Sequence, residues 1–117
     1  MITWSASAKV YLHLQPVDFR KAINGLSVII EDAMGVSPFS PALFVFCNKQ
    51  RTQLKVLYWD DTGFALWQKR LEKERFKWPK KDDDSMVINH EQWLWLLRGF
   101  NLNYLTPHQT LSFSNVI

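Results

Sequence analysis

The chain has 117 residues, of which 47% are hydrophobic and 21% are charged, and its formal net charge is +3. This length suits one domain, and the composition is too apolar for a disordered chain. A lone cysteine, Cys47, excludes an intramolecular disulfide framework and a multi-cysteine zinc site. The start of the chain lacks a basic stretch followed by a sustained apolar one, and no apolar run approaches the roughly 20 residues of a membrane span. We therefore expect a soluble, cytoplasmic protein.

The first third of the chain predicts a strand followed by a helix. Apolar and polar residues alternate over Lys9–Leu14, which is typical of a strand, and Pro16 ends it. Apolar residues then recur at helical spacing over Asp18–Met34, with Asp18 as the expected N-cap and Gly35 as the expected stop.

Two β-rich runs follow, "ALFVFC" and "LKVLYW". They predict an antiparallel hairpin whose polar tip carries Lys49 and Arg51. The second run has apolar residues on both faces, so we expect a central strand that is covered on both sides. Cys47 lies at the end of the first run and is expected to be a small buried apolar residue.

A pair of aspartates, Asp60 and Asp61, precedes a segment that predicts a helix over residues 63–74. Asp61 or Thr62 would cap this helix. At about 100° per residue, its apolar and basic side chains fall on opposite sides. The predicted basic face consists of Lys69, Arg70 and Lys73.

The sequence "MVINHEQWLWLLRGF" predicts a short strand and then a helix that Asn89 caps and Gly99 ends. Four of its apolar residues are expected to face inward: Trp93, Leu94, Leu96 and Leu97. Trp95 is left for the surface or for a partner protein; the alternative is that the whole segment packs on its own sheet.

Together these elements predict a single α+β domain over residues 1–100, with a small, mainly antiparallel sheet and two or three helices packed on it. Residues 101–117 have weak periodicity, so we expect an extended or mobile C-terminal tail.

The positive charge is concentrated in the middle of the chain. Residues 49–81 hold ten basic and four acidic side chains, residues 1–48 hold three of each sign, and residues 82–117 hold one basic and four acidic. Such a field favours an anionic partner, with nucleic acid first among the candidates. The alternative is a solvated basic surface without a partner.

Four motifs occur in an order and spacing that we associate with one family: "PVDFRKAINGL", "LFVF", "LKVLYWDDTGF" and "KRLEKERFKWP". Over about residues 9–100 the sequence resembles the TnpB-type accessory protein, or Orf2-like protein, of the insertion sequence 66 family of bacterial transposable elements. The resemblance implies a protein that assists transposition, while catalysis resides in a separate transposase encoded by the element. It implies no catalytic residue, and this protein is unrelated to the RNA-guided nuclease that shares the TnpB label.

Three functions are open at this point. The first is DNA binding by cations that neutralise phosphates, and the candidates are Lys69, Arg70, Lys73, Arg75, Lys77, Lys49, Arg51, Arg20 and Lys21. The second is a transposase adaptor that never touches DNA, with Trp95 and Trp78 as candidate protein contacts. Trp78 or Trp59 could also stack on a base, unless Trp78 lies in the core.

The third function is a metal-dependent nuclease built on Asp60 and Asp61. Such a site needs several converging carboxylates, and the sequence offers no recognisable spacing for them. We therefore expect a structural role for the two aspartates, no metal and no cofactor. Arg20 and Lys21 lie near a helix start, where the dipole disfavours cations, so Arg20 is expected to pair with Asp18 or to meet a phosphate. The chain could also form a homo-oligomer.

Overall fold

The computed structural model describes residues 7–102, which form a five-stranded sheet with one helix on each face. In chain order the elements are β1 (Lys9–His13), α1 (Ile23–Asp32), β2 (Ala42–Cys47), β3 (Gln53–Asp60), β4 (Gly63–Arg70), β5 (Ser85–Ile88) and α2 (His90–Leu97). The strands lie side by side in the order β4-β3-β2-β1-β5.

The pairing of the strands confirms the predicted α+β class and the mainly antiparallel sheet. β1 and β2 are parallel neighbours joined through α1, and the other three neighbouring pairs are antiparallel. β1, β2 and β4 finish at the same end of the sheet, and β3 and β5 begin there.

The central strand β2 is buried along its whole length, because α1 covers one face of the sheet and α2 covers the other. Its residues alternate between the two faces, with Phe44 and Phe46 toward α1 and Leu43 and Val45 toward α2. Cys47 is buried as expected, and burial raises the pKa of its thiol to about 12. The thiol therefore contributes to the core as a small apolar group.

The segment predicted as a helix over residues 63–74 is instead the edge strand β4, so that prediction was wrong. β4 pairs antiparallel with β3, with Val56 opposite Trp67 and Asp60 opposite Gly63. Asp61 and Thr62 form the tight turn between the strands and cap no helix. Asp61 has a positive φ of 51°, and the Thr62 N–H donates to the Asp60 carbonyl oxygen. β3 has apolar residues on both faces and an edge free to pair. The hydrogen bonds and burial gained when residues 63–70 pair with that edge outweigh the local helix propensity of the sequence.

Helix α1 starts later than predicted. Ala22 occupies its N-cap without a side-chain hydrogen bond, and Asp18 closes a separate turn by accepting the backbone N–H of Arg20 at 2.9 Å. The helix ends as expected, because Gly35 adopts a positive φ of 65° that favours glycine.

The prediction for α2 was right about its ends and wrong about the position of Leu94. Asn89 and Gln92 form a reciprocal capping box, and Gly99 follows the helix with a φ of 94°. Leu94 is 38% exposed, although we expected it inside, and Trp95 is half-buried against the core cluster. Both residues flank the buried line through Trp93 and Leu96, and the larger indole reaches back over the core.

Residues 71–79 cross the end of the sheet without regular structure. Alternate side chains, those of Phe76 and Trp78, anchor this segment in the core. Phe76 and Trp78 are buried, and the Trp78 Nε1 donates to the Leu14 carbonyl oxygen at 3.2 Å. The backbone N–H of Phe76 also donates to the Arg51 carbonyl oxygen at 2.8 Å. Trp78 is thus a core residue, which corrects its candidacy as a base-stacking or partner-binding residue.

A buried lysine fixes the segment that leads into α1. The Lys55 side chain on β3 donates from its Nζ to the carbonyl oxygens of Phe19 and Lys21, each at 2.8 Å, and lies 4.9 Å from the centre of the Phe19 ring. These contacts satisfy a charge that would otherwise be costly to bury. They also hold the chain around Arg20 and Lys21 against the sheet.

Residues 103–117 of the predicted tail lie outside the described residues, and Leu102 at its start is buried in the core. Within residues 7–102, no helix is long and apolar enough to cross a membrane.

We expect Trp78→Ala to lower the free energy of unfolding by roughly 3–5 kcal/mol, because it removes a buried indole and its hydrogen bond. Urea unfolding followed by circular dichroism measures this loss. Val87→Ala is the control, since Val87 is 54% exposed and its change should stay within about 0.5 kcal/mol. A Trp78→Ala loss below about 1 kcal/mol would contradict the core position.

Lys55→Met should lower the free energy of unfolding by roughly 1–3 kcal/mol, because two carbonyl oxygens lose their donor. The same unfolding assay applies, with the exposed strand residue in Lys9→Met as the matched control. Equal stability of Lys55→Met and the parent protein would show that these bonds do not hold the segment.

Candidate nucleic-acid interface

The strand directions gather most of the cations at one end of the sheet, which we call the basic end. It comprises the chain after β1 (residues 14–22), the β2–β3 turn (48–52), the last residues of β4 and the segment 71–84 before β5. All nine sequence-derived candidates lie there, together with Lys80 and Lys81. Segments far apart in sequence therefore contribute to one electrostatic surface.

Lys69, Arg70 and Lys73 do not form the predicted basic face, because residues 63–70 are a strand and not a helix. Lys69 and Arg70 are consecutive residues of β4, so their side chains leave opposite faces of the sheet. Arg70 also forms an exposed ion pair with Glu72, with 2.9 Å between its Nε and the carboxylate. Lys73 lies beyond the strand. The three residues share an end of the sheet but not a face.

Residues 71–79 present the most regular set of cations. Phe76 and Trp78 point into the core, whereas Arg75 and Lys77, which alternate with them, are exposed, as is Lys73. This alternation makes one side of the segment apolar and buried and the other cationic and solvated. Cations held in this way are suited to phosphate contacts that do not depend on base sequence.

The segment before α1 adds a second pair of cations. Arg20 is paired with Asp18, as expected, through Nη2–Oδ2 and Nε–Oδ2 distances of 2.6 Å and 2.9 Å. Hydrogen bonding from the Arg20 side chain lowers the pKa of the Asp18 carboxyl to about 2, so the pair stays ionised at neutral pH. Lys21 is exposed and belongs to no ion pair shown among the described residues.

Acidic residues also occur at the basic end and reduce its net charge. Eleven exposed or half-buried basic side chains lie there against six carboxylates: Asp18, Glu72, Glu74, Asp82, Asp83 and Asp84. Two of the carboxylates pair with neighbouring cations, Asp18 with Arg20 and Glu72 with Arg70. Most of the cations outside these two pairs lie in the β2–β3 turn and in residues 73–81.

The opposite end of the sheet has a different chemistry. Asp60 and Asp61 lie at the exposed β3–β4 turn there, and the C-terminus of α1 adds Glu31 and Asp32 on its way to β2. Next to this turn three aromatic rings contact one another, with centroids 5.1–5.2 Å apart. They belong to Phe39, Trp59 and Phe64, and Phe39 is 56% exposed. Sequence analysis missed this cluster, because Phe39 comes from a loop that precedes β2.

The aspartates of the turn have no partners of the kind a metal site requires within the described part of the chain. Among residues 7–102 no three metal-ligating side chains of the His, Cys, Asp or Glu types come together.

The chain is similar to known proteins along most of its length. The chain is 33% identical over 101 residues to the uncharacterized protein y4jC of Sinorhizobium fredii, covering 86% of each chain. It is 27% identical over 110 residues to the uncharacterized protein y4hO of the same organism, covering 94% of each. No solved structure matches the chain. The family model described as "IS66 Orf2 like protein", TnpB of IS66, matches residues 8–107, so the chain belongs to this family of transposition-associated accessory proteins.

Proposed function

We propose that this protein is a non-catalytic accessory protein of transposition that binds DNA through its basic end, while a separate transposase carries out the chemistry. The observation that carries the proposal is the convergence of eleven cations, from three separate stretches of the sequence, at one end of the sheet. The family membership supplies the biological setting. A cytoplasmic location follows from this role as part of the proposal.

The positions of the cations favour contacts with DNA phosphates over sequence-specific contacts with bases. Lys73, Arg75 and Lys77 stand on an irregular segment, and the described part of the basic end contains no helix that could lie in a major groove. Lysine and arginine side chains release counterions when they neutralise phosphates, so binding should weaken steeply as salt rises. Such binding tolerates many sequences, and a transposase partner would then supply the choice of element end.

Lys77→Glu should lower DNA affinity about tenfold at low salt and reduce the slope of log affinity against log salt by about 1, because one phosphate contact is lost. Fluorescence anisotropy with element-end DNA and a scrambled duplex of equal length, at 50 and 200 mM salt, measures both quantities. Lys9→Glu is the matched control: it makes the same charge change on an exposed strand residue at the opposite end.

Equal losses in Lys77→Glu and Lys9→Glu would mean that net charge alone governs binding. If the parent protein bound neither duplex at low salt, the proposed DNA-binding function would be wrong. A preference of the parent protein for the element end would add sequence recognition to the phosphate contacts.

A second candidate function is an adaptor that binds the transposase without DNA, and the aromatic cluster favours it. Phe39, Trp59 and Phe64 form an apolar surface beside Asp60 and Asp61. Exposed aromatic rings rimmed by charge are typical of protein interfaces. The matching partner is an apolar segment of the transposase flanked by basic residues. Trp95 remains a further predicted contact.

Phe39→Ser should weaken association with the element's transposase about tenfold or more and leave the DNA affinity unchanged, because this residue is exposed and distant from the basic end. Isothermal titration calorimetry with purified transposase measures the association. The control is Val87→Ser, which alters another exposed apolar side chain on β5. Unchanged association of Phe39→Ser would exclude the cluster as the adaptor surface.

A further inference from the structure

A cleft of about 250 Å³ opens at the basic end, between the exit of β1, the β2–β3 turn and the approach to β5. Its lining consists of Leu14, Gln15, Arg51 and residues 79–82. Three of these residues are cations, namely Arg51, Lys80 and Lys81, and one is a carboxylate, Asp82. The cleft is formed by three segments that only the folded chain brings together.

Arg51 is held in an unusual backbone conformation at the edge of this cleft. Its φ is 62°, in the left-handed region that few residues other than glycine, asparagine and aspartate adopt. Its backbone N–H donates to Asn48 at 3.1 Å, and its carbonyl oxygen accepts from Phe76 at 2.8 Å. The Asn48 side chain also accepts the backbone N–H groups of Thr52 and Gln53. These bonds fix the backbone of the turn, and with it the Cα of Arg51, at the edge of the cleft.

One nitrogen of the Arg51 guanidinium lacks an acceptor among the described residues. This nitrogen, Nη1, is buried. An arginine cannot give up its charge to relieve this, and an unpaired buried donor is unfavourable. Within residues 7–102 the ion pairs shown are Arg20–Asp18 and Arg70–Glu72, so Asp82 pairs with none of the three cations of the cleft.

We propose that this cleft binds a phosphate group, and that its ligand is a backbone phosphate of the nucleic acid held at the basic end. The planar guanidinium of Arg51 carries donors whose spacing matches two phosphate oxygens. Lys80 and Lys81 supply point charges on the other side of the cleft. The assignment of the ligand rests on the DNA-binding function proposed above, whereas the phosphate site itself does not.

The test begins without DNA. The Nε–H signals of the arginine side chains are followed by ¹H–¹⁵N NMR while inorganic phosphate is added, with sodium chloride at matched ionic strength as the reference. The Arg51 signal should shift in a saturable way with phosphate and not with chloride. Arg51→Asn, which suits a positive φ, should abolish saturable shifts of the surrounding backbone amides while the circular dichroism spectrum is retained.

The second arm measures duplex DNA affinity by anisotropy for Arg51→Asn and for Lys49→Gln, which removes an exposed cation of the same turn that does not line the cleft. Arg51→Asn should weaken DNA binding about tenfold at low salt, and the loss of affinity in Lys49→Gln should be several times smaller than that. Affinity of Arg51→Asn equal to that of the parent protein would overturn the assignment to a DNA phosphate.

The two arms separate the failure of this inference from the failure of the proposed function. No saturable phosphate shift would overturn the cleft as a phosphate site, even if the protein binds DNA through its other cations. A saturable shift at Arg51 in a protein that binds no DNA would support the phosphate site and overturn the DNA-binding function.

Discussion

The antiparallel pairing of β3 with β4 determines where the cationic part of the chain lies. This register sets Arg70 opposite Gln53, at the end of the sheet where β3 begins. The chain after β4 is therefore released beside the β2–β3 turn, where Leu71 donates from its backbone N–H to Thr52 at 2.8 Å. Had residues 63–74 formed a helix, these cations would have occupied one helical face, separate from the turn. The pairing of β4 with β3 instead places these cations beside the β2–β3 turn.

The sheet consequently has two chemically different ends. Cations from distant parts of the sequence meet at one end, and Asp60 and Asp61 lie at the other beside an aromatic cluster in which Phe39 is exposed. An accessory protein that contacts both DNA and a transposase needs two separate surfaces. The buried strands between the two ends hold the two proposed surfaces apart, and the core packing makes their relative position rigid. DNA binding at the basic end and transposase binding at the aromatic cluster are therefore compatible in one protein.

Local sequence signals predicted much of this fold, and a non-local contact overruled them at one place. β1, the β2–β3 hairpin and the Asn89-capped helix were predicted correctly, since alternation, capping and glycine signals act over a few residues. β4 was not, because the helix propensity around Glu72 is local, whereas pairing with β3 is tertiary. Composition identified the candidate cations, but only the topology shows that they meet. The unpartnered Nη1 of Arg51 has no signal in the sequence.

The most direct test of the central claim is a titration of ¹⁵N-labelled protein with duplex DNA at low salt, followed by amide chemical shifts. We expect shifts in the β2–β3 turn, in residues 71–81 and around Lys21, all of which reverse when salt is raised. Amides of the Asp60–Gly63 turn should not move. Shifts concentrated at that turn, or no shifts at any residue, would contradict the claim that the basic end binds DNA.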